Sequence, residues 1–242
     1  MQSFRILFNE NRDPISPRCI ERIIWAFPIS YREVVEQIIE ESESLAPEVF
    51  RRNVARIMQS FKMTRAGFFR GVKYKDGIVT DQTGVINLCW ERIGTELQNL
   101  KEKIKKEARN RNRALVTLSS SSEKYILEEV SRLFRKLREV PVKTSEVRSQ
   151  VSPVGASKVL FATIPEIALP VDRTEWRYVF KTGEYKDVLS TMVSEIKEWE
   201  KKTGKRLETL DPSYPKATLP GVYNVMAMSV RDMLKTAGTT LS

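Results

Sequence analysis

Apolar residues recur every three or four positions through most of this chain, a period that suits α-helices with one buried side and not the two-residue alternation of strands. Phe50, Val54, Ile57 and Phe61 follow it, as do Ile93, Leu97, Leu100 and Ile104, and again Ile126, Val130 and Phe134. Helix starts are marked as well. Ser16-Pro17 supplies an N-cap and a first-turn proline, and Ser30 with Glu33 has capping-box spacing. A third helix is expected from Pro47. Residues 65–80 break the pattern with Gly67, Gly71 and Gly77, and Asp76-Gly77 predicts a tight turn, so a loop or small hairpin is expected there. Ser121 or Ser122 ahead of Glu123 predicts a new helix running to about Glu139, where Pro141 stops it. Beyond it the pattern predicts a short helix over 144–150, a turn over 151–155, and further helices from Ser157, over 185–201 and over 221–235. The expected fold is all-α or nearly so, in two interlocked helical halves, 1–118 and 119–242, meeting at the serine run 119–122.

A chain of 242 residues with 41% apolar content can bury a substantial core. Histidine is absent, which removes Ser-His-Asp triads, Cys-His dyads and histidine zinc sites. Cys19 and Cys89 are too few for a disulfide framework or a four-thiolate site, so neither metal nor cofactor is expected. No apolar run approaches the roughly 20 residues of a membrane span, and the first residues lack a signal-peptide core. A cytoplasmic location with no membrane partner is the expectation.

Forty-one Lys and Arg against 31 Asp and Glu leave a net charge of +10, a field that favours polyanions and above all nucleic acid, DNA or RNA. The charge is concentrated. Residues 50–75 contain no carboxylate but carry Arg51, Arg52, Arg56, Lys62, Arg65, Arg70, Lys73 and Lys75, interleaved with Phe68, Phe69 and Tyr74. Cations among flat side chains are what phosphates and unstacked bases require. A further basic run, 101–113, reads KEKIKKEARNRNR, and there Glu102 and Glu107 allow an ordinary solvated helix as readily as a phosphate contact.

Residues 152–180 place Val154-Gly155 before Lys158, and Pro170-Val171-Asp172 after one short helix, with Trp176 following. This order resembles the helix-hairpin-helix DNA glycosylase superfamily. Pro153 stands where that family's first hairpin glycine falls, and there is no C-terminal four-cysteine cluster. The resemblance implies a hairpin around Gly155 that contacts nucleic acid and a DNA-repair activity. Lys158 would then be a nucleophile toward the sugar C1′ of a flipped nucleotide, and Asp172 the carboxylate that stabilises charge on the sugar. Two readings without catalysis remain: a nucleic-acid-binding or coat-like protein using the same basic face, and an interaction module for an acidic protein.

Overall fold

The computed structural model describes residues 5–65, 67–143 and 148–239. The protein is mostly helical. Nine α-helices follow one another among the described residues: α1 (Pro17–Trp25), α2 (Ile29–Glu41), α3 (Pro47–Ser60), α4 (Val85–Glu107), α5 (Ala114–Thr117), α6 (Ser120–Arg138), α7 (Pro153–Phe161), α8 (Tyr185–Thr203) and α9 (Leu219–Thr239). Two antiparallel hairpins interrupt them, β1 (Lys73–Lys75) with β2 (Ile78–Thr80) and β3 (Pro141–Lys143) with β4 (Arg148–Gln150).

The caps explain most boundaries. Ser16 Oγ accepts from Cys19 N at the start of α1, and Ser119 Oγ accepts from Ser122 N at the start of α6. The capping box at Ser30 does not form. Pro28, with φ of −55°, takes the N-cap position without any side-chain cap, and α2 opens at Ile29, two residues earlier than a Ser30 cap would place it.

Two further expectations are corrected. Residues 148–150 form strand β4, paired to β3, where a short helix is expected; 144–147 lie outside the described residues. The turn over 151–155 is instead the beginning of α7, because Ser152 Oγ accepts from Gly155 N at 3.1 Å and Pro153 occupies the first helical turn. Gly155 is therefore a helical residue and not the centre of a hairpin.

Helix α6 is central and packs against α4, α7 and α8, while α3 packs against α2, α4, α7 and the first hairpin. Buried apolar side chains on both sides of Ser119 belong to one cluster. The N-terminal segment crosses the 119 boundary: Leu7 N donates to Glu195 Oε1 on α8, Arg5 pairs with Glu198, and Trp199 Nε1 donates to Ile15 O. Burial pushes the Glu195 carboxyl up, against hydrogen bonds from Tyr223 and Leu7 that favour its charged form. The more exposed Glu198 is held down at about 2 by hydrogen bonds from Arg5 and Lys202.

Candidate nucleic-acid interface and lysine-aspartate pocket

Lys158 sits in α7 with 1% of its surface exposed. The chain leaving α7 runs through residues 162–171, all buried, and a buried backbone needs a partner for each polar group. Side chains supply several of them. Ser157 Oγ accepts from Val171 N at 3.1 Å and faces Val171 O at 3.3 Å; Tyr185 Oη accepts from Leu169 N at 2.9 Å and donates to Leu169 O at 2.7 Å. Thr218 Oγ1 donates to Pro165 O at 2.9 Å. These bonds strap Pro170-Val171-Asp172 beside α7. Asp172 then leads into a π-helical turn, Glu175–Phe180, whose N-cap position is Thr174, with the Asp172 N–H donating to Glu175 Oε2 at 2.7 Å and the Asp172 C=O accepting from Trp176 N at 3.0 Å.

The result brings the two residues together. Lys158 Nζ lies 2.5 Å from Asp172 Oδ1 and 3.9 Å above the centre of the Phe61 ring. Phe61 meets Tyr31 edge-on at 5.7 Å, and Tyr31 Oη accepts from Asn224 Nδ2 at 2.6 Å. Burial pushes the Tyr31 phenol up, and the nearby carboxylates of Glu175 and Asp172 push the same way.

Asp172 faces an open pocket of about 780 Å³ whose wall also includes Met63, Arg138, Arg173, Trp176 and the first residues of α7. Trp176 is fixed from behind by Phe134 and Tyr185, with ring centres 5.9 and 6.1 Å away. Lys158 is not part of that wall; its amine contacts Asp172, which is.

The acid-free segment divides into two roles. Arg56 donates to Glu41 Oε1 at 2.5 Å and to Tyr74 Oη at 2.6 Å, and its guanidinium lies 4.6 Å over the Tyr74 ring. Arg52 Nε also reaches Glu41, at 3.3 Å. Arg52, Arg56 and Tyr74 thus brace the first hairpin against α2 and α3. Phe69 is fully buried, which removes it as a stacking surface, and Phe68 packs partly buried against the core. Phe69 explains Gly155: a Cβ there would come within 3.0 Å of the Phe69 ring, so glycine lets α7 close on it. Since the Gly155 amide is satisfied by Ser152, that N–H is not presented to a phosphate.

Lys62, Arg65, Arg70, Lys73 and Lys75 are exposed, and Arg51 is half-buried. Lys62, Arg65, Lys73 and Lys75 converge on an open groove of about 440 Å³ with Gln59, Thr64 and Tyr74, and among the described residues no carboxylate lines it. Residues 62–65 form a shared ridge. Met63 faces the pocket, while Lys62, Thr64 and Arg65 face the groove.

The basic run over 101–113 is largely spent within the fold. Lys101 is buried against Glu166 at 3.3 Å and Thr163 O at 2.9 Å, Lys103 and Lys105 pair with Glu107 and Glu102, and Arg111 reaches Ser42, Glu43 and Glu166. Arg113 bonds Glu200 and Glu208 at 2.7 and 2.5 Å.

Comparison of the chain with protein-family models, with curated proteins and with solved structures gives no match. Among the described residues no three Cys, Asp or Glu side chains gather in a way that could hold a metal ion, and no helix is long and apolar enough to cross a membrane. Ser157, Tyr185 and Glu175, which position Asp172, are not among the site residues expected from the sequence. Ser157 carried a signal, as a hydroxyl directly before a lysine within an otherwise apolar stretch.

Proposed function

We propose that this protein binds nucleic acid along the groove beside residues 62–75 and admits an unstacked nucleotide to the neighbouring pocket, where Lys158 and Asp172 carry out base removal. The observation that carries the reading is the shared ridge at 62–65: a cationic groove without carboxylates on one side, and on the other a pocket with Asp172 in its wall and Lys158 at contact distance from Asp172. Phosphates would be held by Lys62, Arg65, Lys73 and Lys75, with Arg138 and Arg173 at the pocket mouth. Trp176 and Met63 offer the base flat and apolar surface.

The chemistry follows from the pair. Asp172 takes a proton from the Lys158 ammonium, and the freed amine forms a bond to C1′ as the bond from C1′ to the base breaks, the base leaving with that electron pair and taking up the proton that the newly bonded nitrogen loses. Asp172 gives its proton to the ring oxygen O4′ as the C1′–O4′ bond breaks, and the nitrogen lone pair forms an iminium, which borohydride reduces to a stable adduct. This requires Lys158, which does not line the pocket, to reach into it.

That requirement gives a non-catalytic reading its support. An amine 1% exposed and already paired is also a structural ion pair, and the protein would then bind nucleic acid without cutting it. Borohydride trapping on oligonucleotides bearing abasic sites or damaged bases separates the two. Wild type is expected to give a covalent adduct, and Lys158→Gln to give none while its dissociation constant stays within a few-fold. Salt-sensitive binding without an adduct would leave the non-catalytic reading standing. Absence of binding at low salt would remove both.

A further inference from the structure

We propose that the β1–β2 hairpin is the element that enters a groove of duplex nucleic acid, with Ile78 as its apolar contact to the base pairs and Lys73 and Lys75 on the adjoining phosphates. This rests on the nucleic-acid reading above and adds to it a partner class and a contact residue. The pairing Lys73↔Thr80, Tyr74↔Val79 and Lys75↔Ile78 puts Lys73, Lys75, Ile78 and Thr80 on one face, all exposed, with Tyr74 and Val79 turned toward the core.

The ribbon is stiff. Asp76 and Gly77 both have left-handed φ, 49° and 82°, which matches the twist of a two-residue hairpin turn. Tyr74 is pinned by Arg56 through its hydroxyl at 2.6 Å, and its backbone N–H donates to Gln59 Oε1 at 2.9 Å. A two-stranded element held this way can be inserted without first being ordered, so binding does not bear that entropy cost.

Ile78 is 69% exposed, the highest value among the exposed large apolar side chains of the described residues, so little of it is buried in the isolated fold. Its surroundings indicate what covers it. Lys75 lies directly opposite, and Lys73 and Lys75 also line the carboxylate-free groove, so the complementary surface is anionic along its edges and apolar or flat at its centre. A duplex groove has that pattern, and the major groove is wide enough for a two-stranded ribbon. The two lysines stand about 7 Å apart along β1, a reach suited to successive phosphates of one strand. Asp76, exposed in the turn, would be repelled by a phosphate but can accept from a cytosine amino group at a base edge.

The test is anisotropy binding of a duplex and of a single strand at several salt concentrations, with wild type, Ile78→Ser and a Lys73→Ala/Lys75→Ala double variant. Ile78→Ser is expected to bind duplex about tenfold more weakly with an unchanged salt slope, an unchanged single-strand affinity and an unchanged melting temperature. The double lysine variant is expected to lower the duplex slope of log K against log salt by about 2. Wild-type duplex affinity in Ile78→Ser, or an equal loss on duplex and single strand, would overturn the hairpin's role while leaving the binding function intact. A change confined to self-association would give the face to another copy of the chain and overturn it equally. No nucleic-acid binding by wild type would overturn both.

Discussion

Replacing Lys62, Arg65, Lys73 and Lys75 together by glutamate is expected to weaken nucleic-acid binding at least a hundredfold near 0.1 M salt. It should also reduce the slope of log K against log salt by about 3 to 4 for duplex. The four side chains are exposed, line one groove and form no ion pair among the described residues, so each is available to displace a counterion from a phosphate. Fold stability should change little, since no internal bond is lost. Reversal of Lys103 and Lys105, which already face Glu107 and Glu102, is the matched control and should have a much smaller effect. Salt-dependent anisotropy titrations of the three proteins decide it. Equal affinities and slopes would mean that the groove faces only solvent.

Glu166→Ala is expected to destabilise the protein by about 3 to 5 kcal/mol near neutral pH, the cost of leaving a buried cation without its carboxylate. Glu166 is 1% exposed, lies 3.3 Å from Lys101 and 3.6 Å from Arg111, and ties α4 to the buried chain that leads to Asp172. Burial lowers the Lys101 amine from 10.5 to about 8, with Glu166 pulling the other way. A base whose folded pKa is depressed makes the unfolded chain the better proton binder. The neutral amine's contribution is therefore complete only above 10.5 and is lost as pH falls through about 8. Without Glu166 the amine releases its proton at still lower pH, so the deficit of the variant should narrow as pH is raised toward 8 and stay level above it. Urea denaturation of wild type and variant from pH 6 to 9 measures this directly. A deficit below about 1 kcal/mol at every pH would show that the buried pair contributes little.

The helical period was readable because each long helix buries one stripe, and Asp76-Gly77 was readable because its turn demands left-handed backbone. Ser16-Pro17 and Ser152-Pro153 are the same kind of helix start, yet Gly155 gives residues 151–155 the composition of a turn. Gly155 answers to a different constraint, the Phe69 ring, which lies 86 positions away in the sequence and leaves no local trace. The basic run misled in a similar manner. No carboxylate occurs within 50–75, but Glu41, just outside it, takes up Arg52 and Arg56 and turns two expected phosphate contacts into a brace. For Lys158 and Asp172 the order of residues was visible, whereas the straps that bring them together depend on Tyr185 and Ser157 meeting backbone groups of a buried segment. Such contacts exist only once the chain is folded.

Nucleic acid bound as proposed lies over the 62–65 ridge, between the cationic groove and the Asp172 pocket. Photo-crosslinking of wild type to an oligonucleotide carrying 4-thiothymidine, followed by peptide mapping, tests that placement most directly. Adducts are expected within residues 62–75 and at Trp176. Adducts confined to residues 101–113, or spread over the surface without preference, would contradict it.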